Sequence, residues 1–349
     1  MGRINLKDSS SAKIMIRAAN WVGDAIMTTP VIRAVRKNFP NSTLTVLAKP
    51  WVIPVYKNNP YVDKILLYDS HKRHKKGFGT LRLARDLKKY QFDLAILMQN
   101  AFEAGLLSFL AGVKERVGYN TDGRALLLSR GIKLNPALKK GHLIDYYIGI
   151  LKGVGLLDYG RDLDLFLCES DRAFANHFLE KEKIDLSRPV IGINPGATGG
   201  TAKRWFPERY AQICKKLAEK FKVKVLIFGA PQDIALGEYI AGLSNGSCIN
   251  IAGMTSLGQA FALIEKCSLF VTNDSGLMHA AAALNVNQVA VIGSTDYIAT
   301  SPSNKNSVMI RVPVPCSPCL KDVCPTDHQC MDKISVGMVM ERCESFLNK

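Results

Sequence analysis

The sequence predicts an α/β protein made of two doubly wound domains, and three observations lead to this prediction. The chain has 349 residues, a length that suits two domains of roughly 100–200 residues each. Short apolar runs alternate with longer segments whose apolar residues recur at helical spacing. This alternation restarts midway, at "PVIGINPGA" from Pro189. Strands that alternate with helices form a parallel sheet with crossover helices, so each half is expected to build one such sheet.

In the first half, apolar runs and periodic segments follow one another in regular order. Strands are predicted at "KIMIRAA", "STLTVLAK", "KILLYD" and "FDLAILM". Helices are predicted at "AIMTTPVIRAVRKNF", "GTLRLARDLKKY", "EAGLLSFLAG" and "HLIDYYIGILKGVGL". A short segment, "VIPVYKNN", follows the second strand, and "ERVGYN" leads into a basic loop.

The second half repeats this order after the charged helix "DRAFANHFLEKEKI". Strands are predicted at "PVIGINPGA", "KVKVLIFGA", "CINIAG", "LFVTND" and "QVAVIG". Helices are predicted at "PERYAQICKKLAEKF", "QDIALGEYIAGL", "SLGQAFALIEKC" and "GLMHAAAAL". The predicted domains are residues 1–172 and 173–349, and the second includes a cysteine-rich loop at 316–330 and a terminal helix.

Charge is distributed unevenly along the chain. The net charge is +16, and residues 1–170 carry 27 Lys and Arg against 14 Asp and Glu, a net +13. Such a basic half indicates a polyanionic partner, while a merely solvated surface is the plainer alternative. The basic run "HKRHKK" is predicted to be a loop whose charge has no structural use. Its candidate contacts to an anionic membrane are Lys72, Arg73, Lys75 and Lys76.

The cellular compartment is also suggested by composition. The beginning of the chain is polar and charged, without the apolar core of a signal peptide, and no apolar run approaches the ~20 residues of a membrane span. We therefore expect a cytoplasmic protein. In that compartment the nine cysteines are expected to be thiols or metal ligands rather than a disulfide framework.

Four cysteines lie close together near the end of the chain, in "CSPCLKDVCPTDHQC". Cys316 and Cys319 form a C-x-x-C pair, which is a common zinc half-site, whereas Cys324 and Cys330 are spaced more loosely. A structural zinc, with His328 as a spare ligand, is the favoured interpretation. Reduced thiols or a disulfide are the alternatives.

Two turns in the second half have the composition of anion sites. The turn in "INPGATGGTAKRW" follows a strand, and its N–H and hydroxyl groups can bind a phosphate beside the charge of Lys203 or Arg204. An ordinary flexible loop is the alternative. In "TNDSGLMHAAAAL" a strand runs into a helix that begins near Gly276, and a helix N-terminus favours anions. Asp274 and Ser275 also suit a helix N-cap, a role that is compatible with ligand binding.

Three further polar residues are candidates. Asp233 lies just beyond "FGA", where a carboxylate can bind the vicinal hydroxyls of a ribose but is more often a helix N-cap. His279 lies in the first turn of the helix predicted at "GLMHAAAAL", where a structural role is the plainer interpretation. Asp24 lies in "RAANWVGDAIMTTP", after the first strand, where Gly23 allows a tight bend. A general base and a helix N-cap are its two candidate roles.

Four motifs, "NWVGDAIMTTP", "NPGATGGTAKRW", "IAGMTSLGQA" and "TNDSGLMHAAAAL", resemble in this order those of the ADP-heptose:lipopolysaccharide heptosyltransferases, glycosyltransferase family 9. The resemblance extends from Lys13 to the terminal helix. It implies the GT-B fold, in which two Rossmann-like domains face a central cleft, with the donor nucleotide bound to the second domain and the acceptor to the first. It also implies an inverting transfer that needs no cofactor for catalysis, so that any zinc would be structural.

The same resemblance implies roles for individual residues. Asp24 matches the family's proposed general base, and Lys203 matches the lysine that contacts the donor diphosphate and stabilises the leaving group. The acidic contact to the ribose falls on Asp233. The turn that holds the donor's sugar and phosphates, with a histidine nearby, falls on Asp274, Ser275, Gly276 and His279. Candidate phosphate hydroxyls are those of Thr198 and Thr201.

The implied activity is transfer of L-glycero-D-manno-heptose from ADP-heptose to heptosyl-Kdo2-lipid A at the cytoplasmic face of the inner membrane. This is the reaction of the members that add the second heptose of the inner core. Members that add the first or a later heptose are the nearest alternatives, followed by a GT-B sugar-nucleotide 2-epimerase and a non-catalytic nucleic-acid binder. The sequence has no basic platform interleaved with aromatic residues. The expected partners are therefore the donor, the lipid A-linked acceptor and an anionic membrane surface, and not nucleic acid.

Overall fold

The structure is a computed structural model that describes residue 4, residues 11–75 and residues 77–348. Contacts among these residues divide the chain into two units between Phe166 and Leu167, six residues before the predicted boundary. Each unit is built on a parallel sheet of six strands with helices between them. The predicted α/β fold with two doubly wound sheets is therefore confirmed.

The first unit has the strand order β3-β2-β1-β4-β5-β6, and every neighbouring pair is parallel. Its strands are β1 (Lys13–Arg17), β2 (Thr43–Ala48), β3 (Lys64–Leu67), β4 (Leu94–Leu97), β5 (Glu115–Tyr119) and β6 (Arg130–Ile132). Its helices are α1 (Val22–Met27), α2 (Thr29–Asn38), α3 (Ile53–Tyr56), α4 (Phe78–Lys88), α5 (Phe102–Leu110), α6 (Pro136–Lys140) and α7 (Leu143–Lys152).

The second unit has the strand order β12-β11-β10-β7-β8-β9, again with parallel neighbours. Its strands are β7 (Ile191–Asn194), β8 (Val225–Ile227), β9 (Cys248–Asn250), β10 (Leu269–Asn273), β11 (Gln288–Val291) and β12 (Ser307–Ile310). Its helices are α8 (Glu169–Lys181), α9 (Pro207–Phe221), α10 (Ile234–Leu243), α11 (Leu257–Glu265), α12 (Gly276–Ala283), α13 (Tyr297–Thr300), α14 (Gln329–Asp332) and α15 (Val336–Leu347).

The two sheets share one winding order. Counted from its own first strand, each reads 3-2-1-4-5-6, the order of dinucleotide-binding domains. The winding reverses between β1 and β4 in the first sheet and between β7 and β10 in the second. Ligands of such sheets bind beyond the carboxyl ends of the strands at this switch point. The residues that follow these four strands are therefore the ones placed to form sites.

The interiors of the central strands are apolar because these strands are covered on both faces. Ile14, Met15 and Ile16 of β1 are all buried, as is every residue of β10. Crossover helices on both faces of a parallel sheet remove the polar alternation that a half-exposed strand would need. The short edge strands β6 and β12 are only partly buried, and the sequence analysis did not identify either.

The segment predicted as one helix after β1 is two helices, α1 and α2. The Thr28 hydroxyl donates to the Ala25 carbonyl at 2.7 Å, and the Thr29 hydroxyl donates to the Ile26 carbonyl at 2.7 Å. Pro30 has no N–H to donate to Ile26, four residues earlier, so the helical ladder is interrupted there. The single-helix prediction was wrong because the helical spacing of the apolar residues continues across this break.

The terminal helix α15 is part of the second unit's core. It packs against α9 and the strands β10, β11 and β12, and its Val339 and Cys343 are fully buried. None of the described helices combines the length and the apolar composition that crossing a bilayer requires.

Candidate functional site

Asp24 lies directly after β1, at the switch point of the first sheet. It is half-buried in the first turn of α1, whose N-cap is Trp21, so Asp24 does not hold the capping position. The hydroxyl of Tyr147, on α7, donates to Asp24 Oδ1 at 3.2 Å. Burial and the neighbouring carboxylate raise the pKa of Tyr147 well above its usual value, so the phenol stays a neutral donor. The structure thus gives Asp24 a fixed orientation that the sequence analysis did not foresee.

Arg17, the last residue of β1, is a cation buried beneath the same edge. Its guanidinium donates to the Ala18 carbonyl at 2.7 Å, to Asn20 Oδ1 at 3.1 Å and to Gln99 Oε1 at 2.6 Å. Burial lowers the pKa of Arg17 to about 10, which leaves the group charged at neutral pH. These bonds fix the turn after β1 relative to the turn after β4.

A pocket of about 520 Å³ lies at this edge of the first unit. Its polar lining comes mainly from residues that follow three neighbouring strands, namely Asn20, Lys49 and Gln99, with Glu103 beside them. Its other wall consists of apolar side chains of α4 and α5, namely Leu81, Phe102, Leu106 and Leu110. A polar floor with an apolar wall fits an amphiphilic ligand better than a small ion.

The corresponding edge of the second sheet carries a hydrogen-bonded turn. Asn194, the last residue of β7, is buried, and its Nδ2 donates to Ser275 Oγ at 2.9 Å and to Thr272 Oγ1 at 3.3 Å. Ser275 is the N-cap of α12 and accepts from the Met278 N–H at 3.3 Å. Gly276 begins the helix, and the first-turn N–H groups of a helix are suited to an anion.

Asn273 joins this turn to the loop that follows β7. Its Oδ1 accepts from the Trp205 N–H at 3.1 Å and from the Tyr210 hydroxyl at 3.0 Å, while its Nδ2 donates to the Pro195 carbonyl at 2.7 Å. The side chain is fully buried. One amide therefore connects residues 195–205 with the turn at 272–276, although the sequence analysis did not single it out.

The loop after β7 presents Lys203 beside two glycines. Gly199 and Gly200 have φ values of +92° and +107°, which favour glycine, and a Cβ on Gly200 would lie 1.9 Å from the Asp322 carbonyl oxygen. Lys203 is half-buried and, among the residues that the structure describes, is in no ion pair. An amine without a carboxylate partner beside such a turn is suited to an anionic ligand. The exposed hydroxyls of this loop are those of Thr198 and Thr201.

Asp233 is buried and has protein partners of its own. Its Oδ1 accepts from Arg204 at 3.2 Å, and its Oδ2 accepts from the Ala230 N–H at 3.1 Å. The carboxylate also lies against Gly196, where a Cβ would come within 2.6 Å of it. Asp233 thus holds the second cation of the Lys203 loop, and its contact to a ribose stays a prediction.

Asp274 and His279 are both buried at the start of α12. Asp274 Oδ2 accepts from the Thr300 hydroxyl at 2.9 Å, which connects the turn to α13. The structure brings both residues to the same helix terminus as Ser275 and Gly276. Their contacts to a ligand stay predictions.

Two hydroxyls that follow β11 were missed by the sequence analysis. Ser294 and Thr295 are buried, and in the described part of the chain neither Oγ has a hydrogen-bond partner. Buried hydroxyls are normally paired, so an unpaired pair at the carboxyl edge of a sheet is placed for a ligand. The Ser-Thr dipeptide that follows "QVAVIG" was the sequence signal that could have identified them.

The cysteine-rich loop packs on the Lys203 loop. His328 Nε2 lies 2.9 Å from the Ala202 carbonyl oxygen, and the Ala202 N–H donates to the Asp322 carbonyl at 3.0 Å. Free thiols line one enclosed pocket of about 20 Å³, namely those of Cys316, Cys319, Cys324 and Cys330. No group of three or more described His, Cys, Asp or Glu residues is arranged to hold a metal ion. The structure therefore does not support the expected zinc. The contacts that it does show are those by which the cysteine-rich loop packs on the Lys203 loop.

Part of the basic run after β3 is engaged in an ion pair, contrary to expectation. Arg73 pairs with Asp86 of α4 at 2.7 Å, so the prediction that its charge has no structural use was wrong. Lys72 and Lys75 are exposed. Lys76 lies outside the described residues.

Comparisons relate the chain to known proteins over nearly its whole length. The family model of glycosyltransferase family 9 (heptosyltransferase) matches residues 80–329. Lipopolysaccharide heptosyltransferase 2 of Escherichia coli K12 is 30% identical over 354 residues, 96% of this chain and 98% of that protein. Lipooligosaccharide heptosyltransferase 2 of Haemophilus ducreyi is 32% identical, over 86% of this chain and 88% of that protein. The solved structure of E. coli ADP-heptose lps heptosyltransferase II has a TM-score of 0.81 at 28% identity, over 96% of this chain and 98% of that one.

Proposed function

The chain belongs to glycosyltransferase family 9, the heptosyltransferases, and from this premise we propose that it moves L-glycero-D-manno-heptose from ADP-heptose to heptosyl-Kdo2-lipid A. The names of its relatives support the donor and the general class of the acceptor, because they are lipopolysaccharide or lipooligosaccharide heptosyltransferases 2, and one is named for ADP-heptose. We place the reaction at the cytoplasmic face of the inner membrane, where such an acceptor would be held by its lipid anchor.

The donor binds the second unit in this proposal, and the observation that carries this assignment is the buried Asn273 bridge. It holds the loop of the unpaired Lys203 to the turn at the N-terminus of α12. A diphosphate at this edge would receive positive charge from the amine and N–H groups from the helix. Further donor contacts are assigned to Thr198, Thr201, Asp233, Asp274, Ser275, Gly276 and His279.

The acceptor binds the first unit, and Asp24 is its general base. The acceptor hydroxyl is a poor nucleophile until a carboxylate within about 3 Å accepts its proton. Tyr147 acts as a positioning residue because its hydroxyl holds Asp24 Oδ1 from one side. The pocket lined by Asn20, Lys49 and Gln99 gives the sugar part of the acceptor polar contacts at the same sheet edge.

The transfer is a single displacement. The acceptor oxygen forms a bond to the anomeric carbon as the bond from that carbon to the diphosphate oxygen breaks. The proton passes to Asp24, and the electron pair of the broken bond leaves with ADP. Attack opposite the leaving group inverts the anomeric centre, and Lys203 with the N-terminus of α12 stabilises the charge that develops on the diphosphate.

The alternative functions are not favoured by these observations. A family match over residues 80–329 and relatives named heptosyltransferase argue against an epimerase and against a nucleic-acid binder. Enzymes that add the first or a later heptose differ from this proposal in the acceptor alone. Acceptor choice is therefore the point that an experiment has to resolve.

Turnover of ADP-heptose by the purified full-length chain tests the proposal, with Kdo2-lipid A and heptosyl-Kdo2-lipid A as parallel acceptors. We expect heptose transfer to the heptosylated acceptor alone, with inversion of the anomeric configuration seen by NMR of the product. Transfer to Kdo2-lipid A instead would identify an enzyme of the first heptose. If neither acceptor supports consumption of ADP-heptose, the proposal is contradicted.

A further inference from the structure

The helix α5 presents an apolar face to solvent. Its inner face buries Ala104, Leu107 and Ser108. Its outer face carries the other apolar side chains at i, i+4 and i+7 spacing, with Phe102 48% and Phe109 50% exposed. A helix that is apolar on both its inner and its outer face needs a second apolar environment in addition to the core.

The neighbouring helix α4 extends this face. Its buried residues are Leu83, Ala84 and Leu87, so the opposite side of its first turn is the exposed one. There Phe78 is 89% exposed and Leu81 is 53% exposed. Leu81 lines the same pocket as Phe102, Leu106 and Leu110, so the outer faces of the two helices meet at this pocket. The α4–α5 surface comprises Phe78, Leu81, Phe102, Leu106, Phe109 and Leu110.

Cations continue the outer face of α4 beyond its first turn. Arg82, Arg85 and Lys88 are exposed on the side of the helix opposite its buried residues. Among the described residues, Arg85 and Lys88 are in no ion pair. The Arg116 guanidinium lies over the Phe109 ring of α5, 5.4 Å from its centroid. The surface is therefore apolar at its centre and basic at its rim.

We propose that the α4–α5 surface docks the chain on an anionic lipid bilayer, with its apolar side chains inserted among the lipids and the cations at its rim on the headgroups. The inference rests on the proposed function in one respect, since a lipid-linked acceptor gives docking its purpose. Insertion of Phe102 and Leu110 would set the mouth of the pocket at the membrane surface. A sugar carried on a lipid could then reach Lys49 and Gln99 without leaving the bilayer.

A bilayer fits this surface better than a second copy of the chain. Two copies packed through the same face would bring the basic rim of one against the basic rim of the other, at a net charge of +16 per chain. An anionic bilayer complements the rim, and its interior receives the apolar residues. The basic run after β3 contributes less than the sequence suggested, because Arg73 is already paired.

Co-sedimentation of the full-length chain with vesicles, in the absence of donor and acceptor, tests the docking surface directly. Vesicles of phosphatidylethanolamine and phosphatidylglycerol are compared with phosphatidylcholine vesicles at low and high salt. Phe78→Gln with Phe109→Gln removes apolar residues that do not line the pocket. Arg85→Gln with Lys88→Gln removes charge, and Leu157→Gln with Leu186→Gln is the matched control at other exposed apolar positions.

We expect the wild-type chain to bind anionic vesicles at least tenfold more tightly than phosphatidylcholine vesicles at low salt, and high salt to weaken that binding. Each of the two α4–α5 variants should lose about tenfold or more in vesicle affinity, while the control variant keeps wild-type affinity. Wild-type binding by the Phe78 and Phe109 variant would overturn the proposal, as would equal affinity for both vesicle types. A concentration-dependent dimer that this variant abolishes, without vesicle binding, would show that the surface joins two copies.

Turnover of a soluble, deacylated acceptor separates this inference from the proposed function. The Phe78 and Phe109 variant should retain the wild-type rate on the soluble acceptor and lose rate on the membrane-embedded one. If the chain binds anionic vesicles through this surface but consumes no ADP-heptose, the docking surface is supported and the proposed function is contradicted. If the wild type and the variant turn over both acceptors equally well, the proposed function is retained and the docking surface is contradicted.

Discussion

The carboxyl edges of the two sheets have the same topology but different chemistry. At the first edge, Asp24 accepts from Tyr147, and the nearby pocket has a polar floor and an apolar wall. At the second edge, Lys203 has no ion pair among the described residues, and Ser275 caps a helix whose N-terminus suits an anion. The first edge can accept a proton, and the second can hold negative charge.

This difference shows which part of the molecule decides its chemistry. Both sheets wind in the order 3-2-1-4-5-6, and both switch points lie beside their first strand. The two sheets therefore provide the same scaffold, and the chemistry differs because the residues in the loops that follow their strands differ. In the reaction we propose, the first edge supplies a base for one reactant and the second stabilises the leaving group of the other.

Removing the proposed base from the first edge should give the largest effect. Asp24→Asn keeps the shape of the side chain but cannot accept the acceptor's proton, so kcat should fall by about 10²–10⁴-fold. Donor affinity, measured by calorimetry with ADP-heptose, should remain that of the wild type because our proposal assigns the donor to the other edge. Asp162→Asn, at an exposed carboxylate of the same unit, is the matched control. A variant at Asp24 that kept its kcat would remove this residue from the chemistry.

Disrupting the bridge of the second edge should cost stability. Asn273→Ala leaves the Trp205 N–H, the Tyr210 hydroxyl and the Pro195 carbonyl without their buried partner. We expect the free energy of unfolding of the second unit to fall by about 2–4 kcal/mol, measured by urea denaturation. Asn287→Ala loses one exposed hydrogen bond to the Ser268 carbonyl and should cost below about 1 kcal/mol. Equal losses for the two variants would mean that the bridge does not hold the loop.

Removing the cation from the second edge should weaken donor binding. Lys203→Ala deletes the amine expected on the diphosphate, and a hydrogen bond to a charged group contributes about 1.5–3 kcal/mol, or roughly 10–100-fold in affinity. The rate should fall as well, because the interaction strengthens as charge develops on the leaving group. Lys216→Ala, on the exposed face of α9, should change neither quantity. An unchanged affinity for ADP-heptose in the Lys203 variant would place the diphosphate elsewhere.

The smallest expected effect comes from Tyr147, which we propose to position the base. Tyr147→Phe removes the donor to Asp24 and should lower kcat by only a few-fold, with KM for the donor unchanged. A hydrogen bond to the carboxylate favours its ionised form, so losing that bond should move the acidic limb of the pH–rate profile to higher pH. Tyr159→Phe, on the surface, is the control. A purely structural role for Tyr147 would lower the rate equally at every pH and leave the limb in place.

Much of the fold and part of the site could be predicted from local sequence. The buried strands were recognisable because a strand covered on both faces is apolar throughout, as in Ile14 to Ile16 of β1. The candidate turns were recognisable because Gly199, Gly200 and Ser275 are the residue types that such turns require. The break at Thr28 was missed because apolar periodicity continues across it, and the short edge strands β6 and β12 carry too few residues for a pattern.

The sequence by itself therefore determined most of the secondary structure, the parallel sheets and many of the polar residues at their carboxyl edges, because spacing and residue type act over a few positions. The tertiary structure alone decided which of those residues have partners. Tyr147 reaches Asp24 across 123 positions, and Asn273 reaches Pro195 across 78. In the tertiary structure Asp233 pairs with Arg204, whereas Lys203 has no ion pair among the described residues, although the two cations are neighbours in sequence. Hydrogen bonds and ion pairs depend on distances of about 3 Å in space, and only the packing of the whole chain fixes those.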